Sequence, residues 1–159
     1  MVIRAVGYDN PDAAKLIAEV QQHYVRIYGG IDDSPVRPAE FSPPTGLFLV
    51  GYLAGQAVAC GGWRTHDADQ PGFVDGDVEL KRMYVIPAMQ GRGFARQLLA
   101  ELERTALVAG RTRMVLLTGT LQPEAIGLYS SSGYQPIPSF GIYRDEPECR
   151  CFSKPLVAR

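Results

Sequence analysis

The chain contains 159 residues, of which 46% are hydrophobic and 21% are charged, and its formal net charge is −1. This composition is typical of a globular protein, excludes disordered and fibrous classes, and predicts a single domain over residues 1–159. Basic residues are scattered rather than clustered, so we expect no nucleic-acid partner.

The sequence also predicts a cytoplasmic protein with no membrane partner. No apolar run reaches membrane-spanning length, and the first ten residues lack the apolar core of a signal peptide. Cys149 and Cys151 are too close along an extended strand for easy bridging, and Cys60 is left over. We therefore expect reduced thiols and, without histidines near the Cys-x-Cys pair, no metal site.

Apolar periodicity, with proline and glycine at the borders, predicts a mixed α/β chain. Asn10 and Pro11 supply a helix cap and a first-turn proline, and Gly29 ends that helix. The predicted elements in order are a strand at 2–6, a helix at 12–28, a loop at 31–45 with one helical turn at 38–41, a hairpin of strands 47–53 and 56–64, a strand at 79–85, a helix from 94 to about 109, a strand at 113–118, a helix at 123–129, and antiparallel strands at 134–137 and 148–154. This order is antiparallel at both ends, with strand–helix–strand units in the middle.

The most informative stretch is the turn Gln90-Gly91-Arg92-Gly93-Phe94-Ala95, between a strand and a helix. Its two glycines allow backbone amides to approach a ligand, and the amides of a helix N-terminus attract an anion. Arg92 adds a charge that suits phosphate. The turn therefore predicts a pyrophosphate site at the end of a strand.

Two better-known phosphate motifs do not fit this turn. The dinucleotide fingerprint needs glycine or alanine at its sixth position, where Arg96 stands, and an acid after the next strand, which ends in Thr118-Gly119-Thr120. The nucleotide-triphosphate loop ends in Gly-Lys-Ser/Thr, a tripeptide that the chain lacks.

The turn instead resembles the Gln-x-x-Gly-x-Gly/Ala signature of the GNAT superfamily of N-acetyltransferases. The strand Glu79–Val85 is similar to that family's central strand, and the block 125–134 is similar to its late helix with a tyrosine and a following Gly-aromatic pair. The resemblance implies an α/β (mixed α+β) acyl-CoA acyltransferase fold. Its expected features are a central, mostly antiparallel seven-stranded sheet, splayed strands 4 and 5, and about four helices.

The resemblance also implies acetyl-CoA as the cofactor. Its diphosphate would lie on the turn 90–95, and its pantetheine in the gap between the splayed strands. The backbones of Met83, Tyr84 and Val85 would bind the pantetheine amides as an added strand does. Gln122 stands where the family often has an asparagine that contacts the cofactor, so an amide is retained there.

Two residues are candidates for acid–base catalysis by this resemblance. Tyr129 would donate a proton to the departing thiolate, since a phenol is protonated at neutral pH; the alternative is a core tyrosine. Glu79 would be the base, with a pKa raised by Asp75 and Asp77. The alternatives for Glu79 are an exposed strand-end acid that pairs with Lys81 or Arg82, and a water chain instead of a fixed base.

The family builds its acceptor side from the first helix and the loop after it, where this chain has Tyr24, Tyr28, Asp32 and Asp33. Aromatic and acidic residues together suit a cationic amine, and they equally suit a core face beside a solvated loop. The chain's two histidines, His23 and His66, are expected to face solvent and not to form a catalytic pair.

The expected function is therefore acetyl transfer from acetyl-CoA to a primary amine of a small molecule or peptide by direct attack. The alternative is a non-catalytic acyl-CoA-binding sensor or assembly module. A homodimer is common in the family, although no residue of this chain identifies an interface.

Overall fold

The structure is a computed structural model, and it describes residues 1–158. The elements are β1 (Val2–Val6), α1 (Pro11–Tyr28), β2 (Gly46–Leu53), β3 (Gln56–Thr65), β4 (Asp77–Val85), α2 (Phe94–Val108), β5 (Arg113–Gly119), α3 (Pro123–Ser131), β6 (Gln135–Ile137) and β7 (Cys149–Pro155). Short 3₁₀ turns occupy Pro38–Phe41 and Pro87–Met89, so residues 1–158 contain three α-helices where about four were expected.

A seven-stranded sheet organises the chain in the order β1-β2-β3-β4-β5-β7-β6. The β4–β5 pair is parallel and the other neighbouring pairs are antiparallel. This confirms the predicted mixed, mostly antiparallel sheet. Among the described residues, no helix has both the length and the apolar character needed to cross a membrane.

Helix α1 covers one face of the sheet. Asn10 caps it by accepting a hydrogen bond from the amide of Asp12 at 2.9 Å, and Gly29 ends it with a left-handed φ of 81°. Its buried residues pack against side chains of β2 and β3 in a cluster formed by Ala13, Leu16, Phe41, Phe48, Val50 and Cys60. This packing aligns the C-terminal half of α1 with the centre of the sheet.

Helices α2 and α3 cover the opposite face. The apolar side of α2 packs on β3 and β4 in a larger cluster that includes Leu98, Leu99, Leu102, Trp63, Val78 and Leu80. Tyr129 of α3 and Tyr134 after it are buried in the same cluster. The two faces of the sheet are therefore covered by different helices, and a ligand site between them has two distinct sides.

The parallel pair β4–β5 separates along its length, as predicted. Its register runs from Asp77 opposite Arg113 to Glu79 opposite Val115 and then stops. In β4 the pairing with β3 also shifts after this point, and Arg82 adopts a left-handed φ of 59°. The C-terminal half of β4 thus has one edge without a strand partner.

Candidate active site

A groove of about 530 Å³ lies where β4 and β5 diverge. Because its walls include residues of α1 as well as α2 and α3, it reaches both faces of the sheet. It brings together most of the predicted site residues: Tyr24, Met83, Tyr84, Val85, Gln90, Gly91, Gly93, Phe94, Ala95, Gln122 and Tyr129. Residues from several distant segments of the sequence thus line one groove, and their binding and catalytic roles stay predictions.

The glycine turn at one end of the groove suits an anion. Gly91 and Gly93 have φ values of 75° and 82°, and a side chain at either position would meet no atom within 4 Å. Gly93 is the N-cap of α2, and no side chain of the described residues caps that helix end. The first-turn amides are therefore free to bind a diphosphate through their N–H groups.

Arg92, expected to pair with phosphate, is not among the groove-lining residues. Its guanidinium donates to the Sδ of Met89 at 3.1 Å and lies 5.1 Å from the centre of the Phe94 ring. A phosphate contact by Arg92 stays a prediction.

The edge of β4 that β5 leaves free lies along the same groove. Met83, Tyr84 and Val85 line it, and the Nε2 of Gln90 donates to the carbonyl of Val85 at 3.0 Å. Backbone groups alternate between the two edges of a strand, so the amide of Ile86, which donates to β3, indicates that the backbone of Tyr84 also faces β3. Met83 faces the free edge and therefore offers the backbone groups better suited to the amides of a pantetheine chain, since the Val85 carbonyl already has a donor.

Tyr129 lies in the wall of the groove with only 6% of its surface exposed. Its ring packs edge-on against Tyr134 at 5.6 Å between centroids, and no hydrogen bond from residues 1–158 engages its hydroxyl. Burial, followed by the nearby phenol of Tyr24, raises the pKa of Tyr129. The hydroxyl is therefore protonated at neutral pH and free to donate.

Tyr28 does not line the groove, but it contacts Gln122, which lines the groove at the start of α3. Its hydroxyl donates to the Oε1 of Gln122 at 3.2 Å, and the same oxygen lies 3.4 Å from the hydroxyl of Thr118. A side chain at Gly119 would overlap the Tyr28 hydroxyl. The C-terminal turn of α1 is therefore held against the end of β5.

Glu79 differs most from expectation, because it is 6% exposed and does not line the groove. Its Oε1 accepts from Arg64 at 2.9 Å and lies 2.8 Å from the Nε2 of His66. Burial raises the pKa of Glu79, but the hydrogen bond with His66 and the charges of Lys81 and Arg64 lower it to about 2. The expected upward shift is wrong, and so is the alternative of an exposed acid.

The neighbouring acids do not act on Glu79 as expected, since Asp77 is itself paired with Arg113 at 2.7 Å. His66 also differs from expectation: it is buried, stacks on Phe73 at 3.9 Å and lies 2.9 Å from a carboxylate oxygen of Asp69. A base role for Glu79 stays a prediction that this geometry restricts to an indirect route.

Asp32 and Asp33 do not line the groove either. The carboxylate of Asp32 is paired with the Nζ of Lys81 at 2.8 Å and with the guanidinium of Arg82. Burial raises the pKa of Asp32, but the charge of Lys81 and its hydrogen bond hold it well below the usual range. Asp32 is thus neutralised within the protein and is not available to a cationic amine.

His23 and Arg26 line the groove and were not predicted to do so. Val20, which is buried and also lines it, precedes His23 by three residues and Tyr24 by four. Residues at these spacings share one side of a helix. The helical spacing from Val20 was therefore the sequence signal that could have predicted His23 on the same side of α1 as Tyr24.

Comparisons with known proteins agree with this architecture. The sequence profile of the acetyltransferase (GNAT) domain family matches residues 44–136. An IAA acetyltransferase of Azospirillum brasilense is 31% identical over 142 residues, which cover 89% of each chain. An uncharacterized N-acetyltransferase of Escherichia coli, YjgM, is 30% identical over 138 residues, which cover 81% of this chain and 78% of that protein.

Solved structures show the same fold. A Klebsiella pneumoniae protein described as an acyl-CoA N-acyltransferase superposes with a TM-score of 0.76 at 28% identity, over 98% of this chain and 97% of that one. An aminoglycoside 6'-N-acetyltransferase complexed with coenzyme A gives a TM-score of 0.73 at 14% identity, over 100% of this chain and 99% of that one. At that identity the likeness concerns the fold alone. The chain belongs to the GNAT family and is an N-acetyltransferase that uses acetyl-CoA.

Proposed function

We propose that this enzyme transfers the acetyl group directly to a primary amine of a small molecule or peptide in the groove between β4 and β5. The observation that carries the proposal is the position of Tyr129, a buried phenol without an internal partner in the groove that starts at the glycine turn. Both features belong to the α2/α3 face of the sheet. The acceptor amine then enters from the α1 face.

The chemistry needs few protein groups. A free alkylamine has a pKa near ~10.4, so holding it neutral at pH 7 costs about 4–5 kcal/mol. Backbone amides on the free edge of β4 stabilise the oxyanion that forms when the amine attacks the thioester carbonyl. Tyr129 then donates its proton to the departing thiolate.

The proton of the attacking amine leaves, in this proposal, through water in the groove. Glu79 lies outside the groove lining and holds Arg64 and His66, so any part it takes is through a water chain. A cytoplasmic location and a homodimer stay predictions from the sequence.

The test is release of thiol from acetyl-CoA by the full chain across a panel of primary amines, beside calorimetry with acetyl-CoA. We expect amine-dependent release with at least one acceptor class and recovery of the N-acetylated product by mass spectrometry. Tight binding of acetyl-CoA with no release by any amine would instead support the acyl-CoA sensor.

A further inference from the structure

The groove is unusually rich in positive side chains for a chain whose net charge is −1. Its basic lining residues are His23, Arg26, Lys81, Arg82 and Arg96. Within residues 1–158, Glu124 in the first turn of α3 is the one acid that lines it. Which of these charges are free decides what ligand the groove selects.

Three of the basic residues already have partners. Arg96 donates to the hydroxyls of Ser131 and Ser132 at the C-terminal end of α3, on the cofactor side. Lys81 and Arg82 share one carboxylate oxygen of Asp32. Two cations on one carboxylate leave an excess of positive charge at the centre of the groove, although Lys81 also lies near Glu79.

Arg82 nevertheless has an unused donor. The residue is 6% exposed, and its Nε is a buried nitrogen without a hydrogen-bond partner among residues 1–158. A buried donor without a partner costs free energy, but this nitrogen has almost no exposed surface, so a ligand in the groove does not reach it. Arg82 therefore acts on a ligand in the groove through its charge and not through this nitrogen.

Arg26 is the arginine of the groove lining that has no such partner among residues 1–158. It lies on α1, and the ten ion pairs and the hydrogen bonds of the described chain do not include it. The acid nearest to it along this side of the helix is Glu19, whose carboxylate accepts from the hydroxyl of Tyr84 at 3.3 Å. His23 stands between them on the same helix and adds a donor.

These groups lie on the side of the groove opposite the glycine turn and Tyr129, because α1 covers the other face of the sheet. We infer that the acceptor is a primary amine that carries an anionic group, a carboxylate or a phosphate, held by Arg26 with His23 beside the charges of Lys81 and Arg82. This inference rests on the proposed function and adds the chemical class of its acceptor. An anionic acceptor replaces the cationic amine that Asp32 and Asp33 had suggested from the sequence.

The same charges select against other amines. A polyamine or an aminoglycoside brings several further positive charges beside Arg26, Lys81 and Arg82, and like charges at close range oppose binding. An anionic amine instead presents one cationic end to the thioester and one anionic end to α1. Orientation of the amine toward the thioester follows from this polarity.

The experiment compares matched amines with the full chain at saturating acetyl-CoA. Amino acids are paired with their carboxamides, aminoalkyl phosphates with the corresponding amino alcohols, and spermidine serves as the cationic probe. We expect kcat/KM for one anionic member to exceed that of its neutral partner by roughly tenfold or more, as a charge-assisted contact implies. The carboxylate and phosphate arms identify which anion is preferred.

Arg26→Gln is the diagnostic variant because Arg26 is exposed enough for its loss to leave the fold intact. It should lower kcat/KM for the preferred anionic amine roughly tenfold. The KM for acetyl-CoA should stay within about twofold of wild type, because the contact removed belongs to the acceptor. Arg104→Gln, an exposed arginine of α2 outside the groove, is the matched control and should behave as wild type.

The outcomes distinguish failure of the anion site from failure of the proposed acetyl transfer. Preference for spermidine or for the neutral partners would overturn the anion site and leave acetyl transfer standing. A higher KM for acetyl-CoA in Arg26→Gln, with the acceptor unaffected, would assign Arg26 to the cofactor. Absence of thiol release with every amine would overturn the proposed function itself.

Discussion

The carboxylate of Asp32 lies 2.8 Å from the Nζ of Lys81 and joins the loop after α1 to strand β4. The guanidinium of Arg82 binds the same oxygen. Asp32 also accepts from the hydroxyl of Ser34 at 2.6 Å. One side chain thus fixes the loop over two buried cations.

Asp32→Asn should lower the free energy of unfolding by roughly 3 kcal/mol, because it leaves buried cations without a counter-charge. Urea denaturation measures the effect. Asp33→Asn is the matched control: that side chain is exposed, so a change within about 0.5 kcal/mol is expected. Equal effects for both variants would mean that the ion pair does not stabilise the loop.

Tyr129→Phe should lower kcat by roughly 10² or more, since general acid catalysis contributes that much, while the KM for acetyl-CoA changes little. Tyr134→Phe removes a neighbouring hydroxyl that donates to Glu103 at 3.0 Å and serves as the control. Tyr134→Phe should cost stability and keep turnover. An unchanged rate for Tyr129→Phe would remove this tyrosine from the mechanism.

Gly93→Ala tests the turn at the start of α2. Gly93 and Gly110 have nearly equal left-handed φ values, 82° and 81°, and open space where a Cβ would stand. Each alanine should cost about 1–2 kcal/mol of stability from strain. We expect the KM for acetyl-CoA to rise only in Gly93→Ala, as measured by steady-state kinetics; the same rise in Gly110→Ala would point to a global effect.

Glu79→Gln separates a structural from a catalytic carboxylate. Loss of its charge removes the carboxylate partner of Arg64 at 2.9 Å, but Arg64 keeps Glu40 at 3.3 Å, so the free energy of unfolding should fall by roughly 1–3 kcal/mol. The pH profile of kcat/KM should keep its shape, because Glu79 does not line the groove. A stable variant that loses the acidic limb of the profile would instead identify Glu79 as the base, because a base is inactive when it is protonated.

The raised pKa of His66 predicts how the free energy of unfolding changes with pH. Burial lowers the pKa of His66, but hydrogen bonds with Glu79 and Asp69 raise it above 6.5 overall. A raised folded pKa gives stability that is present below pH 6.5 and is lost as pH rises through the folded value. For Glu79, whose pKa falls from 4.5 to about 2, stability is lost as pH falls across that interval.

We therefore expect maximal stability between these two ranges, measured by denaturation at a series of pH values. His66→Gln should remove the decline on the alkaline side. His23→Gln should retain it, because no hydrogen bond of the described chain holds that ring. A decline that persists in His66→Gln would assign it to another group.

The order of the elements could be predicted because the local signals were strong. Asn10, Pro11 and Gly29 mark both ends of α1, and the turn 90–95 marks the start of α2. The partners of Glu79 could not be predicted in the same way. Arg64 lies opposite Glu79 only through the register of β3 and β4, and His66 reaches it from the residue after that strand.

Sequence proximity was misleading for the acids around β4 for the same reason. Asp77 and Glu79 are two residues apart, yet Arg113 of β5 neutralises the first. Asp32 appeared free in a loop, but the fold brings it to Lys81, 49 residues further along the chain. Long-range pairing decides which charges remain available to a ligand.

The separation of β4 from β5 has a consequence for cohesion. Three residue pairs join the wing β1–β4 to the wing β5–β7 within the sheet, whereas β5 and β7 share seven. Acetyl-CoA, with its amides along the vacant edge of β4, would contact both wings and connect them. The free energy of unfolding would then rise with the concentration of acetyl-CoA. The two wings of the sheet are then held together most strongly in the enzyme that has acetyl-CoA bound.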